Sequence, residues 1–587
     1  MHIRPPDDDI LNAAFPVVWR ESNNETSQTA TDKEEYLSAC QRLKNRVQVL
    51  EDVQIEMCKI LLQDDDLSTM GTKSTRAMFL DKFMKYLQEN MLPTSNLRVQ
   101  PSTACGGPVI TCFYHRLIQA LRCHWDDISD QSRSSRPSHG VYVPFHIFFD
   151  ESIQYWDMSR LGGLVSHLKK TNDTAIKEEL NKQKSAAFGS DTLAEEDWLQ
   201  DSSLVRMLDD VILLYHIAVH KQLSKVRAVR DSMQQNIKAL EDIEARIRRC
   251  PPEREEVLAE LNRSRSVFLE ETTNCARHMA WVSTLIFTKS KQEDIHWMLR
   301  CILKTISRGS KSGSLFEFAP EFYVEVAINA FHGLRNYFHP TTNFFDLPDA
   351  TGTLDKMAAF LLTHFNDKRI INPDLRDIVI QALAAFVCYP DSLKAVERMP
   401  GDLLESSVRF LLGAYDKRSW VQTTWILVRI WKGCGFAFRY TSSQDVFTSS
   451  AFPEQGHLRA SLQPPCPSDV LQKLMSKLCL SDVKLADEFL NGVLNQLNWA
   501  FSEFIEMLQE IQQATNRLEI SLEKRQLRTC AVCFDLTVGL LRVLEMVSTV
   551  TPQVFTDWKM ESSELHIARL FQVHYLQGFQ LVWEILW

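Results

Sequence analysis

Four groupings of reactive side chains stand out in this 587-residue sequence. Cys530-Ala-Val-Cys533 has the spacing of half a zinc site or of a thioredoxin-like redox pair. Cys105, Cys112, His115, Cys123 and His124 place five possible metal ligands in one short stretch. His216-Ile-Ala-Val-His220 sets two imidazoles one helical turn apart, the spacing by which a helix offers paired zinc ligands. Arg308-Gly-Ser-Lys-Ser-Gly313 holds the glycines, lysine and serines of a phosphate-binding loop, though not in its order.

Each grouping lacks a part that its chemistry needs. A RING holds two zinc ions with successive Cys and His pairs, and after Cys533 the sequence has no cysteine, only His566 and His574. Leu527, Cys530, Ala531, Phe534, Leu541, Leu544 and Val547 continue one apolar helical face, so Cys530 and Cys533 read as core residues. No βαβ pattern surrounds them, which disfavours redox chemistry. The separations from Cys105 to His124 do not fit a C-x₂₋₄-C knuckle, and Cys112, His115 and Cys123 fall on an amphipathic helical pattern. Ile217 stands where a zincin carries the glutamate that activates water, and no third ligand is assigned. The 308–313 run follows no strand and reads as a flexible basic loop. No GxSxG or GxGxxG set sits in strand-turn-helix context. The sequence therefore assigns no catalytic, cofactor-binding or metal-binding residue, and no cofactor is expected in this chain. A metal-dependent enzyme built on Cys105–His124 and His216/His220 is the reading that zinc analysis would test.

Composition narrows the class. Hydrophobic residues make up 45% and charged residues 24%, the balance of a globular chain. The net charge of −10, from 65 basic and 75 acidic side chains, argues against nucleic-acid binding. The 14 cysteines are scattered singly, which reads as reduced thiols of the cytosol or nucleus, and a cytoplasmic protein is expected. The first residues carry Asp7, Asp8 and Asp9 and no apolar core of signal-peptide length. The longest apolar run, Ile378 to Tyr389, falls short of the ~18 residues that span a bilayer and reads as a buried helix. No membrane is expected.

The elements follow from periodicity. Residues 1–35 read as a flexible lead-in. A helical unit follows at 36–127, with Leu43, Val47, Leu50, Val53, Met57, Ile60 and Leu61 on one apolar face, a second helix from Arg76 to Asn90 and a third from Val109 to Trp125. Residues 128–200 form a linker and irregular segment containing VYVPFHIFF at 141–149, the best strand signal. Residues 201–290 hold two long helical patterns, Ser203–Arg249 and Glu253–Phe287, around Cys250-Pro251-Pro252. Proline ends the first and suits the opening turn of the second, which predicts a long antiparallel hairpin. Residues 291–440 alternate helical runs with turns at Pro340, Pro348, Pro373, Pro390 and Pro400, as in stacked armadillo or HEAT pairs. A polar loop at 441–468 ends in Ser468, placed to cap the next helix. Residues 469–550 carry two further long helices, Asp482–Gln513 and Ser521–Val550. The apolar segment 551–587 ends abruptly, which reads as a truncation or a departure of the gene model. The predicted fold is all-α, an extended helical-repeat array with a long hairpin.

Two stretches carry a resemblance. LNGVLNQLNWAFSEFIEMLQEIQQATNRLE at 490–519 and QLRTCAVCFDLTVGLLRVLEM at 526–546 closely resemble the helical segment of the RING finger protein 123 family of E3 ubiquitin ligases. FEFAPEFYVEVAINAFHGLRNYFHP at 316–340 looks like the same family. With NDKRIINPDLRDIVIQAL at 366–383 it is also similar to the helical core of E4 chain-elongation factors. The resemblance covers about residues 200–550. It implies the helical body of a ligase acting with an E2 enzyme and ubiquitin, with a ubiquitin-associated-domain cofactor subunit, and on substrates such as Kip-type cyclin-dependent kinase inhibitors. The family's SPRY sandwich and zinc-binding RING have no counterpart in this sequence, so zinc is expected only in that RING and no family site residue is carried over. The function this implies is scaffolding and partner binding in ubiquitination and proteasomal degradation. A non-catalytic α-solenoid adaptor is the alternative.

Overall fold

A computed structural model describes residues 7–19, 30–63, 74–91, 107–131, 141–149, 159–163, 202–339, 341–433, 466–516, 524–556 and 568. The protein is an all-α helical-repeat chain, and among the described residues there is no β-strand, only an isolated bridge between Arg160 and Pro320. It divides into two compact units, Met1–Ala350 and Thr351–Trp587.

The first unit opens on a short helix, α1 (Asp8–Ala14), inside the stretch expected to be a flexible lead-in. Leu11 and Phe15 explain the difference, because both are buried and Phe15 packs on Ala39 and Ala280. Helix α2 (Ala30–Leu62) follows, then α3 (Thr75–Met91) and α4 (Gly107–Gln131). Helix α2 buries Ala39, Glu51, Ile55, Cys58 and Leu62. The expected face is different. Leu50, Val53, Met57 and Ile60 are 58–64% exposed. Periodicity finds an apolar stripe without saying which of two stripes turns inward, and here the inward one carries a carboxylate.

The long pattern at 203–249 is α5 (Ser202–Leu214), a π-helical turn at Tyr215–Val219, and α6 (His220–Arg249). Cys250 leaves the helix in an extended conformation, and α7 (Glu255–Leu285) packs back along α6, as the two prolines predict. Helices α8 (Lys289–Ser310) and α9 (Phe322–Asn336) complete the unit.

Residues 141–149 correct the strand reading: 141–144 belong to no helix or strand and Phe145–Phe149 is a 3₁₀ turn. Aromatic bulk holds it in place, with Phe148 edge-on to Tyr323 and Phe145 stacked on Phe316. The 308–313 run is also corrected. It is the end of α8 leading into a 3₁₀ turn at Gly313–Phe318, with Arg308 over the ring of Tyr142 at 4.3 Å. A Cβ on Gly309 would lie 2.4 Å from Phe145. Gly309→Ala is therefore expected to lower stability by about 1–2 kcal/mol through overpacking, read by denaturant unfolding.

The second unit contains α10 (Ala350–His364), α11 (Pro373–Phe386), α12 (Pro390–Glu397), α13 (Gly401–Leu412), α14 (Trp420–Lys432), α15 (Asp469–Ser481), α16 (Val483–Asn516) and α17 (Lys524–Val550). Pro373 and Pro390 sit in first turns, where a missing N–H costs nothing. Ser468 accepts the N–H of Leu471 at 3.3 Å, the expected cap. Helix α11 buries Leu375, Val379, Ile380 and Leu383, and among the described residues no single helix is long and apolar enough to cross a membrane.

Gly433 and Cys466 flank residues 434–465, and the N–H of Cys466 donates to the Gly433 carbonyl at 3.0 Å. That is the bond of a β-turn with two residues between. Replacing 434–465 by Asn-Gly is expected to preserve the cooperative melt of this unit. Loss of the transition in a calorimetric scan would refute this.

Candidate functional site

The π-helical turn carries His216 and His220. His216 Nδ1 lies 3.6 Å from Glu325 Oε2, and its ring faces Phe322. His220 packs between the rings of Tyr215 and Tyr337. Burial pushes both imidazoles down, His220 to about 4, with His332 and His216 adding to the effect. They are neutral at neutral pH and set among aromatics. Among the described residues no three His, Cys, Asp or Glu side chains gather to hold a metal ion.

On α4 the expected helix places Cys112 and Cys123 half-buried and His115 fully buried. Neither nitrogen of His115 has a hydrogen-bond partner, and burial, with Lys291 and Arg116 nearby, holds it well below the usual histidine range. His115 is a neutral core residue. Cys105 lies outside the described residues. Cys533 is buried and Cys530 half-buried, beside the packed rings of Phe504 and Phe534. Burial raises both thiols, so neither is poised as a thiolate.

Charged groups missed by the sequence reading tie the first unit together. Lys291 Nζ is 2.8 Å from Glu51 Oε1, and Arg116 Nη2 is 3.2 Å from the same oxygen. Lys291 also donates to the Leu285 carbonyl at 2.5 Å, and Arg116 to Gln54 at 3.0 Å. This joins α2, α4 and α8. Arg122 on α4 donates to Asp294 on α8 at 3.0 Å. Burial lifts Asp294 to about 7 against the pull of Arg122. Arg230 on α6 donates to the carbonyls of Asn336, Tyr337 and His339, taking up acceptors at the end of α9. Nothing in the spacing of these residues marks them, because their partners lie far away in sequence.

A groove of about 780 Å³ opens between α2, the end of α7 and the 341–346 loop, lined by Cys40, Lys44, Ser283, Thr288, Lys289 and Thr342 among others. It offers hydroxyls and two ammonium groups but no histidine. The arrangement is that of a framework whose reactive groups are packed or paired.

The last long helices settle the resemblance at the level of the repeat. Residues 487–577 match the RNF123-like TPR repeat family. The match takes in α16 from Asp487 onward and all of α17, and it runs on through 565–577, residues in the segment that the sequence reading set apart. In this stretch the repeat is of TPR kind, another stacked helix-pair design beside the armadillo or HEAT pairs expected for 291–440. The chain is also similar to E3 ubiquitin-protein ligase RKP of Arabidopsis thaliana, 32% identical over 359 residues. The matched stretch is 60% of this chain and 25% of that protein, so the chain spans about a quarter of the relative.

Proposed function

We propose that this chain is the scaffold and partner-binding body of an E3 ubiquitin ligase acting in protein ubiquitination and degradation. The observation that carries the reading is the 359-residue similarity to an E3 ligase, together with the RNF123-like TPR match. Ubiquitin transfer requires a substrate lysine to be held within reach of a charged E2, and a rigid helical body raises that effective concentration without contributing a catalytic side chain. The partners on this reading are an E2 enzyme and ubiquitin through the ligase, a ubiquitin-associated-domain cofactor subunit, and protein substrates such as Kip-type kinase inhibitors. The compartment is the cytoplasm. A non-catalytic adaptor is the second reading, favoured by the burial of His115 and Cys533 and the setting of His216 and His220 among aromatic rings.

The test incubates the purified chain with E1, a panel of charged E2 enzymes and ubiquitin. No discharge of the E2 thioester by the chain alone, with discharge restored when a RING is supplied in trans or by fusion, is the expected result. Failure of the fused RING to direct chains onto any bound protein would leave the adaptor reading.

A further inference from the structure

The α6–α7 hairpin is rooted on the end of α9. Arg230 of α6 donates to the carbonyls of Asn336, Tyr337 and His339 at 2.8, 2.7 and 2.5 Å. Nearer the π turn, the Tyr337 ring meets two imidazoles, His220 at 5.8 Å and His332 at 5.3 Å between ring centres. His220 also faces Tyr215 at 6.2 Å, and Tyr114 of α4 backs Tyr215 at 5.6 Å. Beyond Val226, Ile243 is the only residue of α6 that is buried, so this helix is held chiefly at its root. Among the described residues the Nδ1 of His220 is closed to solvent and has no hydrogen-bond partner. A neutral ring leaves that nitrogen as an idle acceptor, whereas a protonated ring carries an N–H there with nothing to receive it.

The described neighbours do not offset a charge on His220. A helix C-terminus attracts a cation, but Arg230 already takes up the last carbonyls of α9. The Glu325 carboxylate of α9 lies at His216, 3.6 Å from its Nδ1. Lys221 stands as a cation beside His216, and Arg227 beside His332 and Tyr337. His216 and His332 themselves oppose a charge on His220. From α4 and the π turn the packed groups are the neutral Tyr114 and Tyr215, whose rings return less than the water they exclude. We propose that this root is an acid-released latch, in which protonation of His220 parts α6 from Tyr337 and the end of α9. His216 and Glu325 become an ion pair in acid and hold the π turn as the pivot. The proposal is independent of the ligase reading. Burial takes His220 down to about 4, against about 6.5 in an opened segment. The opened form therefore binds the proton more tightly, and the latch, complete above about pH 6.5, weakens as pH falls toward 4.

Hydrogen–deuterium exchange of the full chain at pH 7.5 and pH 5.0, corrected for the intrinsic rate at each pH, reads the latch peptide by peptide. Segments 221–230 and 333–339 should lose about 30-fold in protection, the ratio set by His220 alone, while α5 and 322–329 change by less than about threefold. His220→Phe keeps an aromatic ring in the layer and should hold both segments level between the two pH values. Should that variant lose α6 at pH 7.5, the native chain still decides. Exchange of the imidazole C2 hydrogens, read by mass spectrometry from pH 4 to pH 8, follows the titration of His220 itself, with a midpoint expected well below about 6.5. An even loss of protection across the first unit overturns the proposal, because acid then loosens the whole unit. So does a loss in His220→Phe equal to that of wild type, or a His220 midpoint at the ordinary value.

Discussion

Glu51→Ala is expected to destabilise the first unit by about 3–5 kcal/mol, the usual cost of leaving buried charge without its partner. Lys291 and Arg116 both converge on the Glu51 carboxylate, and the side chains are 7–10% exposed. Removing the carboxylate leaves two cations in the interior with one carbonyl and one amide oxygen between them. Burial already depresses Lys291, which shows how little solvation the site provides. The order of effects separates this account from simple loss of packing. Lys291→Met removes one cation and leaves Glu51 with Arg116, so it should cost less, about 1–3 kcal/mol. Glu51→Met combined with Lys291→Met should recover only part of the loss, because one unpaired cation goes with the carboxylate while buried Arg116 keeps only Gln54. Guanidinium unfolding of wild type and the three variants measures these differences. An alanine variant within 1 kcal/mol of wild type, an order-of-magnitude floor for a buried pair, would remove the network from the account of this fold.

The helices were legible in the sequence because the signals that define them are local. Pro251 and Pro252 punctuate the hairpin, Pro373 and Pro390 begin helices, and Ser468 caps one, each through its own backbone chemistry. The direction each helix faces was less legible. Helix α2 carries two apolar stripes, and the choice between them is made by Glu51 finding Arg116 and Lys291, 65 and 240 residues away. The π turn at Tyr215–Val219 escaped for a related reason, since one widened turn barely disturbs a 3.6-residue period. Residues 141–149 read as a strand because aromatic and β-branched residues fit a pleated surface. The same side chains fill a pocket against α8 and α9 when no partner strand is present. The candidate ligands failed for a physical reason visible afterwards. His115, His216, His220 and Cys533 share helical spacing with metal sites because that is also the spacing of a buried face.

Asp209→Asn is expected to make the first unit more stable at pH 8 than wild type, and the advantage should fade toward pH 4. Asp209 is 1% exposed on α5, and its Oδ1 accepts the hydroxyl of Tyr323 at 2.6 Å. Burial pushes the carboxyl up to about 7, against the pull of the Tyr323 bond. Its neighbour Asp210 is also raised, by burial and by Asp209 itself, with Arg206 in opposition. An aspartate in an unfolded chain titrates near 3.9. Between about 4 and 7 the folded protein therefore keeps a proton that the unfolded chain has released, and stability falls as pH rises through that window. Asparagine retains the oxygen that Tyr323 needs and does not titrate. From pH 4 to pH 8 the variant should gain roughly 2–4 kcal/mol relative to wild type, about 1.4 kcal/mol for each unit of displacement. Asp294, lifted to about 7, contributes a falling slope to both proteins, and the depressed His115 and His220 contribute a rising one below about pH 6.5. The difference between the two proteins cancels these and reports Asp209 together with Asp210, which it raises. A difference that stays constant from pH 4 to pH 8 would mean that Asp209 is ionised in the fold with an ordinary affinity for its proton. Tyr323 would then be donating to a solvated carboxylate, which its burial contradicts.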